Sequence, residues 1–309
     1  MKRVLVTGAS GFVGANLARR LVRDGHEVHL LLRPTYAPWR LAGLRDDVRC
    51  HVASLEDGAA VSEAVRRARP DWVFHLAAHG AYPSQTDVTE MVRTNVLGTI
   101  NLVEASLATG VEAFVNTGSS SEYGARDHPP REDEPLEPNS HYAVMKASAT
   151  LYCQYTARHR EMRLPTLRLY SVYGPYEEPT RLVPTLLVHA LAGTLPPLVR
   201  PETARDFVYV DDVVDAYLLA ATHRGQETGA VYNVGTGIQT TLRDIVAVVR
   251  RLFDIEAEPQ WGTMADRIWD TSAWVANPEK IRHDLGWEPR VTLEDGLRRF
   301  AGWLQGRGL

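Results

Sequence analysis

The sequence predicts an α/β fold: a doubly wound parallel sheet, helices on both faces, and a smaller interleaved lobe. Three observations carry this. Strand-like and helix-like apolar runs alternate through the first half of the chain. A glycine-rich turn joins the first strand to the first helix. After Tyr173 the alternation loosens, and Pro175, Pro179, Pro184, Pro196, Pro197 and Pro201 cut the chain into short pieces. Alternating β and α units give parallel strands, because each helix carries the chain back to begin the next strand in the same direction.

The first strand is Arg3-Val4-Leu5-Val6. Thr7-Gly8-Ala9-Ser10-Gly11-Phe12-Val13-Gly14 then opens a helix from Ala15 to Asp24, closed by Gly25. At this spacing Gly8 permits the tight turn, Gly11 lets backbone approach a pyrophosphate, and Gly14 lets the helix pack closely. The backbone around Ser10, Phe12 and Val13 lies at the helix N-terminus, where free N–H groups and the positive dipole end receive an anion. Glu27 to Leu32, Val48 to Val52, Trp72 to Ala77 and Ala113 to Thr117 read as strands two to five. Helical spacing fills Leu55 to Ala68 and Val88 to Thr109. A long helix from His141 to about Glu161 and a strand at Thr166 to Leu169 complete this part.

Beyond it, Arg181 to Ala192 reads as a helix. Phe207 to Val210 and Val231 to Val234 read as strands around a helix from Asp211 to Thr222. Leu242 to Phe253, Pro278 to Leu285 and Leu293 to Leu304 read as closing helices. The expected division is a dinucleotide-binding domain over 1–170, with a returning segment near 205–240, and a substrate lobe from about 171–204 and 241–309.

Composition narrows the class. The chain has 309 residues, 44% apolar and 23% charged, as expected of a soluble enzyme. A net charge of −4 gives no basic field and no argument for nucleic-acid binding. Two distant cysteines, Cys50 and Cys153, exclude a disulfide framework and a zinc spacing, and fit a reducing cytoplasm. The apolar run after Met1-Lys2-Arg3 stops at Thr7, so it reads as a strand rather than a leader. No run approaches the ~18 apolar residues of a membrane span. No metal site is expected.

Tyr142 and Lys146 stand four apart on the long helix and share a face. An ammonium beside a phenol favours the phenolate, so the expected shift of Tyr142 is downward from ~10 towards ~7, worth about 4 kcal/mol. That would make an acid/base poised near neutral pH. After the fifth strand, Thr117-Gly118-Ser119-Ser120-Ser121-Glu122-Tyr123-Gly124 offers a serine hydroxyl to a substrate oxygen and to the tyrosine.

With these three features in order, the chain resembles the extended short-chain dehydrogenase/reductase superfamily of nucleotide-sugar epimerases, dehydratases and ketoreductases. Further matches are His75-Leu76-Ala77-Ala78, Thr94-Asn95-Val96-Leu97-Gly98-Thr99 and Leu167-Arg168-Leu169-Tyr170-Ser171-Val172-Tyr173-Gly174-Pro175. Later come Arg205-Asp206-Phe207-Val208-Tyr209-Val210-Asp211-Asp212, Tyr232-Asn233-Val234-Gly235 and Leu285-Gly286-Trp287-Glu288-Pro289. The resemblance implies a Rossmann-like fold. It implies Tyr142 as acid/base, Ser119 as its hydroxyl partner and Lys146 on the nicotinamide ribose. It implies Ala77, Ala78 and Asn95 beside the cofactor, and Arg205 and Arg267 on a substrate diphosphate, where a guanidinium fork suits phosphate. His79, Tyr82 and Gln85 would line the sugar pocket. It also implies a homodimer through the helices at Val88–Thr109 and His141–Glu161.

Departures from the family pattern sharpen the expectation. Dehydratases of the family usually carry Asp-Glu or Ser-Glu just after the catalytic hydroxyl; here those positions are Ser120 and Ser121. Glu122 is one residue later and, on a strand end, would point away. Ser121 also replaces a thiol acid found in some members, and Ser171 an asparagine near the substrate phosphate. The second strand ends Leu32-Arg33-Pro34, without the acid that binds the adenosine ribose, so Arg33 could pair with a 2′-phosphate. The expected activity is an NADP-dependent reductase of a nucleoside-diphosphate 4-keto-sugar. The alternatives are an NAD-dependent nucleotide-sugar 4-epimerase and, from another class, a cofactor-bound regulatory protein. The last has no need of Ser119, Tyr142 and Lys146 together.

Overall fold

In a computed structural model of the chain, residues 1–223, 227–263 and 273–307 are described. Seven strands form one sheet: β1 Arg3–Thr7, β2 Glu27–Leu32, β3 Val48–Val52, β4 Trp72–His75, β5 Ala113–Ser119, β6 Thr166–Leu169 and a later strand Val231–Val234. Their order across the sheet is Val231–Val234, β6, β5, β4, β1, β2, β3, and every neighbouring pair is parallel. The chain winds outward from β1 through β2 to β3, then crosses back to β4. Order therefore reverses between β1 and β4, the switch point beyond whose carboxyl ends open α/β sheets bind their ligands.

Both faces of the sheet are buried, and the pleat decides which residue faces which layer. Val4, Val6 and Leu30 join a core with Leu17 and Leu21 of helix α1 (Phe12–Arg23). Leu5 and Leu31 point the other way, into a core with helices α2 (Gly58–Ala68), α4 (Gly98–Thr109) and α5 (His141–Arg160). The short α3 is Val88–Met91. The expected single helix over Val88–Thr109 is interrupted by a π-helical stretch at Val92–Leu97, which carries Asn95.

A third core builds the lobe from α6 (Leu182–Leu191), α8 (Leu242–Phe253) and α10 (Leu293–Gln305), with Tyr173, Phe207 and Tyr209. Phe207–Tyr209 does not enter the main sheet. It pairs in parallel with β7, Ser171–Tyr173, a strand the sequence reading did not separate from β6. Two-residue strands β8 (Ala204–Arg205) and β11 (Thr240–Thr241) pair antiparallel around β9 (Phe207–Tyr209) and β10 (Val231–Val234) in the chain. Helices α7 (Val210–Thr222) and α9 (Glu279–Leu285) complete the described elements. No helix among the described residues is long and apolar enough to cross a membrane.

Candidate active site

The glycine turn sits at the switch point. Gly8 has φ +71°, and a Cβ there would stand 2.5 Å from the Ala77 nitrogen, so the turn closes directly on the strand beyond β4. A Cβ on Gly14 would run into the Gly8 carbonyl oxygen, which holds α1 against the turn itself. Gly11 is the N-cap of α1, without a side-chain cap, and no acid lies in the first turn. Among the described residues no acceptor meets the N–H groups of Phe12 and Val13. Exposed donors at a positive helix end, on a backbone too tight for side chains, suit the diphosphate of a dinucleotide.

A residue missed in the sequence reaches this turn. A 3-10 helix at Pro38–Leu41 buries Arg40, whose Nε donates to the Tyr176 carbonyl at 2.7 Å and whose Nη2 pairs with Glu178 at 3.0 Å. No local pattern marks Arg40, because its partners lie some 136 and 138 residues away. Arg33, at the end of β2, is exposed and has no ion-pair partner among the described residues.

Beyond β4 a buried relay sets the next loop. The Thr99 hydroxyl donates to the Asn95 carbonyl at 2.7 Å and so accepts from His75 Nε2 at 2.9 Å. Nδ1 of His75 must then accept from the Thr7 hydroxyl at 2.7 Å. Burial, helped by the nearby Lys146 charge, pushes the His75 pKa down to about 3, so the ring stays neutral. The Asn95 amide is occupied by the backbone of His79, accepting from its N–H at 2.8 Å and donating to its carbonyl at 2.7 Å. Asn95 thus fixes the Ala77-Ala78-His79 loop against the glycine turn. Gln85 similarly accepts from the N–H groups of Gly80 and Tyr82, at 3.0 and 3.2 Å.

Ser119 ends β5 and caps the 3-10 turn Ser120–Tyr123. Its hydroxyl lies 2.7 Å from that of Ser121. Ser140 caps α5 by accepting from the Ala143 N–H, which starts the helix two residues before Tyr142. Tyr142, Lys146 and Thr150 follow at four-residue intervals along one stripe of α5. The Tyr142 pKa corrects the sequence expectation. Burial and then the Glu122 charge push it up to about 12, against a Ser119 hydrogen bond that favours the phenolate. Burial also lowers the pKa of Lys146. Desolvation favours the neutral form of each, so the phenol holds its proton in this structure. Among the described residues no acceptor hydrogen-bonds the Lys146 ammonium, a buried donor that suits the hydroxyls of a nicotinamide ribose.

Glu122 is a second correction. It lies on the 3-10 turn rather than a strand end, fully buried in an ion pair with Arg168 at 2.8 Å. Ser120 accepts from Trp274 Nε1 at 3.2 Å. Neither dehydratase position carries an acid.

On the lobe side, Ser171 begins β7, its N–H donating to the Asp206 carbonyl at 2.9 Å. Arg205 donates to the Ala204 carbonyl and lies over the Trp274 ring at 5.9 Å. Arg267 falls outside the described residues. Several motif residues serve packing instead. The Asp206 carboxylate gathers the N–H groups of Thr236, Gly237 and Ala276. Asp212 accepts from Val291 N–H and, through its carbonyl, from Trp287 Nε1. Glu177 was also missed. It is buried, Oε2 has no hydrogen-bond partner among the described residues, and burial pushes its pKa up to about 8.

Comparison with known proteins agrees with this architecture. The model of the NAD dependent epimerase/dehydratase family matches residues 4–235. A dTDP-glucose 4,6-dehydratase of Streptomyces griseus is 32% identical over 97% of this chain and 93% of its own. A UDP-glucose 4-epimerase of Mycolicibacterium smegmatis is 31% identical over 99% of each chain. The solved structure of MoeE5 with UDP-glucuronic acid and NAD superimposes with a TM-score of 0.86 at 32% identity, covering 99% of both chains. The turn, the sheet order, the Ser-Tyr-Lys arrangement and these full-length matches together make the chain a member of the NAD-dependent epimerase/dehydratase family of extended short-chain dehydrogenase/reductase enzymes.

Proposed function

We propose that this enzyme is a nucleotide-sugar 4-epimerase, inverting one hydroxyl-bearing carbon of the sugar. One observation carries the choice between its two kinds of relative. Ser119, Tyr142 and Lys146 are assembled, while the positions of the dehydratase acids are Ser120 and Ser121 and the adjacent Glu122 is locked to Arg168. Elimination of water needs acids there; epimerisation does not. Relatives bound to UDP-glucuronic acid and NAD support a nucleoside-diphosphate sugar as substrate.

A nicotinamide cofactor, held by the glycine turn and Lys146, would supply reversible hydride transfer at the sugar carbon. The protein's part is proton transfer. As a phenolate, the form a neighbouring ammonium favours, the Tyr142 oxygen would take the hydroxyl proton and give it back to the keto oxygen, while Ser119 holds that oxygen by a hydrogen bond. Lys146 binds the ribose and lends its charge to the phenolate. His79, Tyr82, Ser121, Ser171, Arg205 and Arg267 form the proposed substrate side. NAD is the proposed cofactor, on the relatives' account.

A second reading, an NADP-dependent 4-keto-sugar reductase, is favoured by Arg33, exposed where an acid would bind the ribose of NAD, and by the protonated Tyr142 phenol, a proton donor. The two separate cleanly. UDP- and dTDP-linked 4-hydroxy sugars are supplied without added cofactor and, in a parallel assay, the 4-keto sugars with reduced nicotinamide cofactor; products are resolved by chromatography while nicotinamide absorbance is followed. The 4-epimer with no net absorbance change is the expected result. Consumption of one reduced cofactor per 4-keto sugar, with no epimer formed, would replace it by the reductase.

The proposed assembly is a homodimer through α5. Val144, Leu151 and Tyr155 are 39%, 56% and 62% exposed on one stripe of that helix, half a turn round from Tyr142 and Lys146. Val92 and Leu97, each 40% exposed, continue the apolar patch.

A further inference from the structure

Glu122 lies directly behind the candidate site. One of its oxygens accepts from the Ser119 N–H at 2.8 Å and the Thr150 hydroxyl at 3.1 Å. The other accepts from Arg168 Nε at 2.8 Å. Arg168 is itself buried and donates to the Tyr123 hydroxyl at 2.7 Å and the Glu132 carbonyl at 3.3 Å. Gly118 makes the room: a Cβ there would stand 2.8 Å from Glu122 Oε1 and 3.0 Å from Arg168 Cγ. Thr150 is one helical turn beyond Lys146 and two beyond Tyr142 on the same stripe. One carboxylate is therefore tied both to the backbone of the serine and to the helix face that carries the lysine and tyrosine.

The charge balance asks for such a group. Lys146 is 3% exposed and has no hydrogen-bond acceptor among the described residues. A buried ammonium without a counter-charge gives up its proton. The ionisable groups around it are Tyr142 and Cys153 on α5, His75 on β4, and Glu122, with Arg168 of β6 and Tyr123 behind the last. His75 is neutral, and burial holds the Cys153 thiol protonated. That leaves Glu122 as the negative charge, and Arg168 approaches it on the oxygen not used by Ser119 and Thr150.

We propose that Glu122 is a positioning residue of the active site: it fixes Ser119 through the capping turn and supplies the counter-charge that keeps Lys146 an ammonium. This rests on reading Ser119, Tyr142 and Lys146 as the catalytic set. The test, however, uses no substrate, so it fails or succeeds separately from that reading, which Tyr142→Phe tests by turnover.

The chain has three lysines, Lys2, Lys146 and Lys280. Lysine labelled with ¹³C at Cε gives three NMR signals, assigned with Lys2→Arg and Lys280→Arg and titrated against pH. In the wild type Lys146 should titrate below the ordinary lysine range and still be charged at neutral pH. Glu122→Gln should lower it by roughly half a unit to two units, and Glu122→Asp, which keeps the charge, should restore most of that. Because Glu122→Gln strands Arg168, the paired Glu122→Gln/Arg168→Met variant is titrated as well, with a downward shift again expected, smaller because a repelling cation has gone with the carboxylate. A wild-type midpoint below 7, which needs no variant, would overturn the proposal. So would an unchanged midpoint in either glutamine variant with a native spectrum, or an aspartate variant that falls as far as the glutamine.

Discussion

Burial of Tyr142 at the start of α5 pushes its pKa up to about 12, with the Glu122 charge adding to the shift. Two residues four apart on a helix predict mutual stabilisation of their charges. The fold buries both, and loss of hydration raises the phenol's pKa and lowers the ammonium's. Tyr142→Phe removes one oxygen from a helix that Ser140 already caps. Turnover should fall by about 10² to 10⁴ with the thermal midpoint little changed, as read by product chromatography beside a melting curve. Glu177 gives a prediction with a definite sign. Its folded pKa of about 8 lies above the ordinary 4.5, so the folded protein retains a proton that the unfolded chain loses between those values. Stability from this group therefore declines as pH rises through that window. Glu177→Gln should match the wild type near pH 5 and exceed it by about 1–4 kcal/mol at pH 9 in urea unfolding. Equal stability of the two proteins at pH 9 would mean the carboxyl is solvated after all.

At the scale of elements, the turn between β1 and α1 is set by close approach. Gly14→Ala places a methyl group against the Gly8 carbonyl oxygen, so α1 must move off the turn. A loss of about 1–3 kcal/mol is expected, together with weaker binding of both NAD(H) and NADP(H), measured by calorimetry. The end of β2 acts differently. Arg33 is exposed and makes no hydrogen bond or ion pair among the described residues. Arg33→Asp should leave stability alone and change the ratio of NAD(H) to NADP(H) affinity in favour of NAD(H). An exposed arginine that pairs with a 2′-phosphate would give about one to two decades. An unaltered ratio would remove Arg33 from the cofactor site. The loop after β7 belongs to this scale too. Tyr176 holds φ +70° under the Arg19 guanidinium, 3.9 Å from its ring centroid, and the Trp303 ring at 4.8 Å. Asn16 of α1 donates to the Pro175 carbonyl at 2.8 Å. These contacts turn Glu177 inward and Glu178 outward to Arg40, in a segment where strain is stored beside the candidate cleft.

The whole molecule is a seven-stranded sheet between two helical layers, with a lobe carried on a third core. Helix α5 links its two outward concerns. One side carries Tyr142 and Lys146, and the opposite side leaves Leu151 and Tyr155 more than half exposed. Leu151→Glu places a charge in the proposed dimer contact without touching a buried residue. Sedimentation should show a dimer for the wild type and a shift towards monomer for the variant, with the fold retained. A wild type that sediments as a monomer at all concentrations would end the proposal that α5 is an interface.

What the sequence determined alone were the features with a local period or a fixed residue requirement. Strand and helix runs alternate because each must bury a face, and Gly8, Gly11 and Gly14 mark a turn that no side chain fits. The proposed roles of Ser119, Tyr142 and Lys146 were legible because they depend on residue type at the end of a strand and on one helix face. The tertiary structure alone decided which charges meet. Arg40 reaches Tyr176 and Glu178, and Glu122 reaches Arg168 and Thr150, across separations no window of sequence contains. It also decided that the phenol rises and the lysine falls, because hydration is lost only when layers close over a group, and closure belongs to the fold rather than to any segment of it.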